Sequence, residues 1–521
     1  MPLSLVEQFL RGLSLSPDRL AVRIGSDAVT YREVHNTTLR WAGSLMADGS
    51  PGTVGVLAGK SVTAYVGPLA VLYTAGTVVP LQPNVPSALT RRMIKVAGAD
   101  RLIADERGLA VLPQVTDEET AVRVLGTGGV ADRFPTIPVT SHPVISAPAQ
   151  AAPSDPVYTL FTSGSTGVPK GVPVSHGGFA PNFHEFDRRS DFRPDDVFAQ
   201  AYDLNSHLGI HDVFASWGVG AMMQAVPLSA YPDLPTYLAE HGVTVWHSTQ
   251  SGIWMAREMG RLEKGALDGL RWSFFGGEAL RCQDVRDWLA AAPGSRLENL
   301  YGPTEFSIGV TWHRWSGEQS ERCGVNGMVP IGKVHDAYDF RLVTEQREQP
   351  PVEGELWITG PQITTGYLDP ADNEGRFVEL EGQRWYRTGD RVRAHSDGEL
   401  AYIDSQVKVH GWRVELAEVD HVVRECDGVR DAVTVTRSAL HGTELVVFYT
   451  GDEVPESTLA DGVRAVLPDS ALTRRYVHLD TLPLNSNRKV DRIVLRKQAE
   501  ELPCASGGDR LLSIGRNLVG D

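Results

Sequence analysis

Residues 157–171 read VYTLFTSGSTGVPKG, an apolar stretch followed directly by a loop of glycine and hydroxyl residues. Val157 to Thr162 has the β-branched and aromatic composition of a buried strand. The loop supplies three glycines, several hydroxyls and Lys170, so backbone N–H groups and a cation can converge on an anion. No glycine directly precedes Lys170 and no serine or threonine follows it, so the pattern differs from the P-loop signature. We therefore expect a phosphate-binding loop of another class.

Strands and helices alternate along the chain that follows this loop. Three further apolar segments have the length of strands, and these are 243–248, 272–275 and 297–300. Helical patterns lie between them, which favours a parallel sheet with helices on both faces. Ligands of such sheets bind beyond the carboxyl ends of the strands. The loops expected to line one crevice are 163–167, 276–278 and 301–305.

Composition restricts the class of protein. A chain of 521 residues is too long for one ordinary core, since domains usually have about 100–200 residues. Its 49 Lys and Arg are outnumbered by 65 Asp and Glu, and this acidic balance argues against nucleic-acid binding. The four cysteines form no C-x-x-C pair, so we expect a reducing, cytoplasmic setting. The uncharged stretch 61–90 has too many glycines and prolines for a membrane-spanning helix.

The strand and helix pattern changes after Val334. Short strands with turn signals predict a β-rich subdomain at about 335–403. After Gln406, strands and helices mix again over a length that suits a small α+β domain. We predict three parts, a core at 1–403, a second domain at 404–503 and a tail at 504–521.

Eight motifs resemble, in content and in order, those of the adenylate-forming superfamily. They are TYRE at 30–33, AGTVVPL at 75–81, the loop at 162–171, NLYGPTE at 299–305, GELWITG at 354–360, YRTGD at 386–390, QVKVHGWRVE at 406–415 and LPLNSNRKVDR at 482–492. Their wording is most similar to that of amino-acid adenylation domains of nonribosomal peptide synthesis. The resemblance implies an α/β N-terminal region of parallel sheets with flanking helices, a β-rich subdomain and a small mobile α+β C-terminal domain.

The resemblance also implies ATP as a substrate, together with Mg²⁺. Asp390 is expected to bind the ribose hydroxyls, Tyr301 to stack near adenine, and Thr304 to approach the α-phosphate. Glu305 is expected to hold Mg²⁺ against the phosphates. Lys489 is expected to bridge the substrate carboxylate and the α-phosphate. The other residues expected to contact the nucleotide are Thr162, Ser163, Gly164, Ser165, Thr166, Gly167, Lys170, Gly277, Glu278, Asn299 and Gly302.

In the implied reaction, a carboxylate attacks ATP to give an acyl-AMP and pyrophosphate, and the acyl group then passes to a thiol. We expect the thiol to be phosphopantetheine on a separate carrier protein. Asp404 stands at the hinge position of the mobile domain. Family members usually carry Gly-Arg just before this hinge, and residues 402–405 leave no room for it. A non-catalytic nucleotide-binding relative therefore stays an alternative, as does an acyl-CoA or aryl-acid ligase.

The acid pocket departs from the family pattern as well. In members that activate α-amino acids, an Asp anchors the amine, and the spacing to Asp212 puts His207 at that position. Histidine does not replace a carboxylate as an ammonium partner. Asp203 is expected to be a displaced anchor, so we predict a small non-standard amino acid, for example a β-amino acid. The same spacing gives as the other pocket residues Leu208, His211, His247, Phe274, Gly276, Leu300, Ile308 and Gly309.

Asp203, His207 and His211 are spaced by four residues, which also suggests a metal site on a helix. However, His-Leu-Gly-Ile-His lacks the glutamate of the H-E-x-x-H motif, and Gly209 weakens a helix. We therefore expect packed pocket histidines here and not a metal-dependent hydrolase.

Overall fold

Contacts divide the computed structural model of this chain into two units. One is Met1–Tyr402 with Ser486–Lys489, and the other is Ile403–Asn485 with Val490–Asp521. The residues that the structure describes are 4–47, 49–116, 123–126, 145–163, 169–307, 309–344, 352–404, 406–409, 412–439, 442–464, 475–485 and 489–502.

Strands occur throughout the described residues. They are β1 (Leu20–Ile24), β2 (Asp27–Thr30), β3 (Thr53–Leu57), β4 (Thr77–Leu81), β5 (Arg101–Ala104), β6 (Arg123–Gly126), β7 (Pro156–Ser163), β8 (Pro169–Ser175), β9 (Val197–Gln200), β10 (Met222–Ala225), β11 (Val245–Ser248), β12 (Trp272–Gly276), β13 (Arg296–Tyr301), β14 (Thr311–Arg314), β15 (Lys333–Val334), β16 (Asp339–Val343), β17 (Glu353–Thr359), β18 (Phe377–Leu380), β19 (Gln383–Ala394), β20 (Leu400–Asp404), β21 (Gln406–Val409), β22 (Trp412–Glu415), β23 (Val429–Ala439), β24 (Gly442–Gly451) and β25 (Tyr476–His478).

Helices connect many of these strands. They are α1 (Leu5–Leu15), α2 (Tyr31–Leu45), α3 (Val62–Tyr73), α4 (Ser87–Ala97), α5 (Glu106–Val115), α6 (His176–Arg189), α7 (His207–Gly218), α8 (Leu234–Glu240), α9 (Gln250–Glu258), α10 (Cys282–Ala291), α11 (Glu318–Cys323), α12 (Leu416–Arg424), α13 (Glu456–Arg464) and α14 (Arg492–Glu501), with short 3₁₀ helices at Leu228–Asp233, Thr304–Phe306 and Pro370–Asn373.

A nine-stranded sheet of the first unit has the order β15-β14-β13-β12-β11-β9-β10-β1-β2. Its central pairs, from β13 to β1, are parallel, and antiparallel pairs lie at both edges. The carboxyl ends of β11, β12 and β13 therefore lie along one edge of this sheet. Their connections contain helices α9 and α10, as a parallel arrangement requires.

A six-stranded sheet has the order β6-β5-β3-β4-β7-β8, parallel except for the β7–β8 pair. The strand expected at residues 157–162 is part of β7 and lies in this sheet, whereas β11, β12 and β13 lie in the nine-stranded one. The expectation of a single sheet was therefore wrong, because alternation of strands and helices does not determine which strands become neighbours. The fold class, an α/β region with large parallel sheets, is confirmed.

The stretch at 61–90 forms α3 and then β4. Helix α3 is buried on almost all sides, which explains its lack of charge. No helix in the described part of the chain combines the length and apolar character needed to cross a membrane. Cys282, Cys323 and Cys426 are free thiols, and Cys504 lies outside the described residues.

The β-rich part predicted at 335–403 contains a sheet of the order β16-β17-β19-β18, with β20 paired to β19. Its β16–β17, β17–β19 and β18–β19 pairs are antiparallel. Buried side chains of β17, β19 and β20 pack with Phe306 and Val310, so this sheet contributes to the surroundings of the 3₁₀ helix at Thr304–Phe306.

The second unit is a small α+β structure. It contains the hairpin β21–β22 and the sheet β23-β24-β25, in which β23–β24 is antiparallel and β24–β25 is parallel. Helices α12 and α13 pack on one side through Val419 and Leu459, and α14 packs through Leu495 in another cluster. Asp404 is the last residue of β20, and its side chain lies outside the described part.

Candidate active site

The glycine-rich loop connects β7 and β8, which pair so that Thr162 lies opposite Lys170. Residues Gly164, Ser165, Thr166 and Gly167, together with the side chain of Ser163, lie outside the described part of the chain. Lys170 Nζ is 2.9 Å from Oδ1 of Asp372 and 5.3 Å from the centre of the Tyr367 ring. The loop's lysine is therefore held beside the tyrosine that contacts Glu305.

Glu305 lies on the 3₁₀ helix that follows β13, and it is buried. Its Oε1 accepts a short hydrogen bond from the hydroxyl of Tyr367, which is 3.5 Å from the hydroxyl of Tyr386. Burial raises the pKa of both phenols, and the charge of Glu305 adds to this, so they stay protonated. A phenol therefore orients this carboxylate, and its other oxygen is not engaged by that bond.

Asp390 lies at the irregularity in the pairing of β19 with β17 and is held by two phenols. The hydroxyl of Tyr301 donates to Oδ2 at 2.6 Å, and that of Tyr402 is 3.5 Å from Oδ1. Burial and the charge of Asp390 raise the pKa of Tyr301. Sequence reasoning predicted a stacking role for Tyr301 but did not predict that its hydroxyl would orient Asp390, because the two residues are 89 positions apart.

Two further residues of the NLYGPTE motif, Asn299 and Gly302, fix the backbone around it. Nδ2 of Asn299 donates to the carbonyl of Pro330 at 2.9 Å. A Cβ at Gly302 would lie 2.8 Å from the Cα of Gly309, so only glycine permits this close approach of two backbones. The residues after β13 are thereby fixed against the segment that contains Gly309.

Lys489 belongs by its contacts to the first unit and approaches the loop after β12. Gly277 has φ +87°, and a Cβ there would lie 2.7 Å from Nζ of Lys489. Burial lowers the pKa of this lysine, and the negative charge of Glu278 opposes the shift. Oε2 of Glu278 accepts hydrogen bonds from the backbone and hydroxyl of Ser251, at 3.0 and 2.8 Å. A cation and an oriented carboxylate thus lie at the end of β12.

His207 is the first residue of α7, whose N-cap is Ser206. Its Nδ1 is 2.9 Å from the hydroxyl of Tyr158 on β7. Burial lowers the pKa of His207 to about 3, against a smaller opposing effect of the Thr304 carbonyl. The ring is therefore neutral near pH 7. The Tyr158 contact links the six-stranded sheet to α7.

Asp203 is half-buried and lies just before α7. Its carbonyl accepts from the backbone and hydroxyl of Ser206, and Gly209 packs against it so closely that a Cβ would lie 2.3 Å away. No described residue forms a hydrogen bond or ion pair with the Asp203 carboxylate. Burial raises the pKa of Tyr65, and the charge of Asp203 adds to this; the hydroxyl of Tyr65 donates to Oε1 of Gln200.

The other residues predicted to line the acid pocket form two groups. A Cβ at Gly276 would lie 3.7 Å from Leu208 and 3.1 Å from the Leu300 carbonyl, and Gly309 is in contact distance of Leu300. His211, His247 and Phe274 form the second group. The ring centroids of His211 and His247 are 6.3 Å apart, and those of His247 and Phe274 are 5.9 Å apart. Ile308 lies outside the described residues.

Comparison with known proteins shows the family of this chain. Residues 11–368 match the family model described as AMP-binding enzyme. The solved structure of IdnL7 is 48% identical, with a TM-score of 0.87, over 96% of this chain and 99% of that one. The adenylation domain AlmE of Vibrio cholerae, solved with glycyl-adenosine-5'-phosphate, is 25% identical with a TM-score of 0.70, over 95% and 97% of the two chains.

Among curated proteins, the phenyloxazoline synthase MbtB of Mycobacterium sp. (strain MCS) is 30% identical over 94% of this chain. The chain spans 41% of that protein, and 21% of a dimodular nonribosomal peptide synthase of Bacillus subtilis. The chain belongs to the AMP-binding enzyme family. Within it, the chain is an AMP-forming ligase of the type found as the adenylation domain of nonribosomal peptide synthetases.

Proposed function

We propose that this chain uses ATP to adenylate a small amino acid and then transfers the aminoacyl group to a carrier-protein thiol. In the first step the substrate carboxylate attacks the α-phosphorus of ATP, the aminoacyl-AMP forms and pyrophosphate leaves. The second step joins the acyl group to phosphopantetheine on a separate carrier protein and releases AMP. The chain would supply positioning and charge neutralisation, and neither step needs a covalent intermediate on the protein.

The nucleotide would bind along the carboxylates that the phenols orient. Asp390 would accept hydrogen bonds from the ribose hydroxyls, and Lys489 would neutralise charge between the acid and the α-phosphate. Thr304 would approach the α-phosphate, and Glu305 offers a carboxylate oxygen, the kind of ligand that Mg²⁺ prefers. Mg²⁺ would enter with the phosphates and supply charge neutralisation when bound. The hinge role of Asp404 belongs to the same proposal.

The observation that carries the amino-acid proposal is the contrast between His207 and Asp203. The neutral, buried His207 has no charge with which to hold an ammonium group. Asp203, four residues earlier, has a carboxylate that no described residue pairs with. We propose that Asp203 anchors the substrate amine. Because the anchor is displaced from the usual position, we expect an amine displaced from the α-carbon, as in a β-amino acid.

Substrate-dependent exchange of pyrophosphate into ATP tests this proposal. The panel contains matched α- and β-amino acids, aryl acids and short fatty acids. We expect exchange with small amino acids, faster with β-amino acids than with the matched α-amino acids. The Asp203→Asn variant should lose this exchange. The exposed Asp100→Asn is the matched control and keeps wild-type exchange. Exchange with aryl or fatty acids alone, or an unchanged Asp203→Asn, would contradict the proposed amine anchor.

Transfer to the thiol is tested separately. A carrier protein bearing phosphopantetheine and free coenzyme A are offered to the preformed aminoacyl-AMP, and the thioester is measured by intact mass. We expect the carrier to be loaded and coenzyme A to react poorly. Preferential reaction with coenzyme A would instead support an acyl-CoA ligase, while leaving the adenylation step intact.

A further inference from the structure

Residues 364–373 form one segment that lies against strand β8. The backbone N–H of Leu368 donates to the carbonyl of Gly171 at 2.9 Å. The hydroxyl of Thr364 donates to the carbonyl of Pro173 at 2.6 Å. Both acceptors belong to β8, so hydrogen bonds fix this segment beside the strand that carries the lysine of the glycine-rich loop.

The same segment contacts two groups that are expected to meet the phosphates of ATP. The hydroxyl of Tyr367 donates to the carboxylate of Glu305, and its backbone N–H donates to Oδ1 of Asn373 at 2.9 Å. Asp372 lies five residues after this tyrosine, and its Oδ1 is 2.9 Å from Nζ of Lys170. The ammonium group is also 5.3 Å from the centre of the Tyr367 ring. One short stretch of chain therefore contacts both the carboxylate and the lysine.

The 3₁₀ helix at Pro370–Asn373 holds Asp372 in this position. Asp369 caps the helix, because its Oδ1 accepts from the N–H of Ala371 at 3.1 Å and its carbonyl accepts from the N–H of Asp372 at 3.0 Å. The side chains of Lys170 and Asp372 are 19% and 29% exposed. Water screens a pair with this exposure in part, so its attraction is weak enough to be exchanged for that of a stronger anion.

We propose that Asp372 is the resting counterion of Lys170 and competes with the phosphates of ATP and pyrophosphate for this ammonium group. The inference rests on the proposed function, in which Lys170 contacts the nucleotide. Thr304 and Lys489 are assigned to the α-phosphate, so Lys170, which lies beside the contact of Tyr367 with Glu305, is assigned to the β- and γ-phosphates.

The competition follows from charge. A triphosphate or a pyrophosphate carries several negative charges and displaces a single carboxylate when it binds. When pyrophosphate leaves, Asp372 pairs with Lys170 again, so the ammonium group regains a partner at the moment of release. Asp372 is therefore a positioning residue that weakens the binding of pyrophosphate and favours its departure.

This role changes affinity in the direction opposite to that of an ordinary binding residue. Loss of a group that binds ATP weakens the complex, whereas loss of a competitor strengthens it. AMP has no β- or γ-phosphate and does not compete for Lys170. Its affinity therefore does not depend on Asp372, and AMP provides a matched control ligand.

Direct binding tests the proposal without knowledge of the acid substrate. Calorimetry measures the affinity of the full chain for ATP and for pyrophosphate, both with Mg²⁺, and for AMP, at one ionic strength. We expect Asp372→Asn to bind ATP and pyrophosphate about 2–5-fold more tightly than the wild type does, the range for a partly exposed ion pair. Its affinity for AMP should stay at the wild-type value. Unchanged or weaker binding of ATP would overturn the proposal.

Two further variants separate the ion pair from a general effect of charge. Glu374→Gln removes one negative charge from an exposed position two residues away and should bind all three ligands like the wild type. Asp372→Glu keeps a carboxylate near Lys170 and should also retain wild-type affinities. Equal tightening in Glu374→Gln and Asp372→Asn would assign the effect to net charge and overturn the proposal.

Lys170→Met distinguishes this inference from the function on which it rests. Loss of the ammonium group should weaken the binding of ATP and pyrophosphate by about 10-fold or more. In that background, Asp372→Asn should change the affinity for ATP by less than about 2-fold, because nothing remains to compete for. Wild-type ATP binding by Lys170→Met would reject the nucleotide contact of this lysine, and with it the counterion. Weakened binding by Lys170→Met, with full tightening by Asp372→Asn in the same background, would reject the counterion alone.

Discussion

The proposed nucleotide side and the proposed acid pocket, both in the first unit, use ionisable groups in opposite ways. On the nucleotide side, phenols donate to carboxylates, as Tyr367 does to Glu305 and Tyr301 to Asp390. Burial raises the pKa of a phenol, so each stays a donor and each carboxylate is oriented before any ligand arrives.

In the proposed acid pocket, burial lowers the pKa of His207 and of His211, which favours the neutral form of both rings. A neutral imidazole offers one donor and one acceptor, and several of these atoms have no partner among the described residues. The polar side chains of the first region are thus bonded to one another, whereas several polar atoms of the second have no partner among the described residues. We infer that substitutions will act on ATP in the first region and on acid choice in the second.

The largest expected effect is that of Lys489→Ala, since this residue would serve both substrates. Loss of a charge that stabilises the transition state typically reduces the rate about 10²–10³-fold. We expect that loss in pyrophosphate exchange, with unchanged thermal unfolding. The exposed Lys264→Ala is the control and should behave like the wild type. Full exchange by Lys489→Ala would remove this lysine from the mechanism.

Asp390→Asn should break the nucleotide side alone. Hydrogen bonds to a charged group are worth about 1.5–3 kcal/mol, which corresponds to a rise of roughly 10–100-fold in KM for ATP. The KM for the acid should stay as it is. Exposed Asp27→Asn provides the control. An equal rise in both KM values would show that the two regions do not act separately.

The pH dependence of stability tests the neutral state of His207. Its pKa in the folded chain, about 3, is below the ordinary value of about 6.5, so protonation favours unfolding. Its contribution to stability is complete above about pH 6.5 and is lost as pH falls toward 3. At pH 5 this loss is about 2 kcal/mol.

Urea unfolding of the wild type and His207→Gln from pH 7 to pH 5 measures this contribution. We expect the stability difference between the two proteins to shift by that amount in favour of the variant. The exposed His184→Gln should show no such shift. A pH-independent difference for His207→Gln would mean that this imidazole is not buried in the neutral form.

The smallest expected effect is a change of acid preference in His207→Asp. A carboxylate at this position would be an ammonium partner at the usual place, so kcat/KM for α- over β-amino acids should rise about 10-fold. Pyrophosphate exchange with matched pairs of α- and β-amino acids measures this ratio of kcat/KM values. The His184→Asp variant is the control and should keep the wild-type ratio. An unchanged ratio would reject the pocket assignment of position 207.

Much of the fold was predicted from local signals. The strand predicted at 272–275 lies within β12 (Trp272–Gly276), because a short apolar run between helical segments has the length of a strand. The separation of β7 from the sheet that contains β11, β12 and β13 was not predicted, since strand order depends on contacts between residues far apart in sequence. Tyr367 was missed as the partner of Glu305 for the same reason, and no local pattern marks it.

The sequence by itself determined the family, the strands and the loops that carry glycine, hydroxyl, carboxylate and lysine groups. These follow from composition, short-range periodicity and motif order, which are properties of neighbouring residues. Only the tertiary structure decided which side chains meet, such as His247 with Asp212 or Tyr301 with Asp390. Burial also decided the protonation state of His207, because a pKa depends on the surroundings of a group and not on its neighbours in the chain.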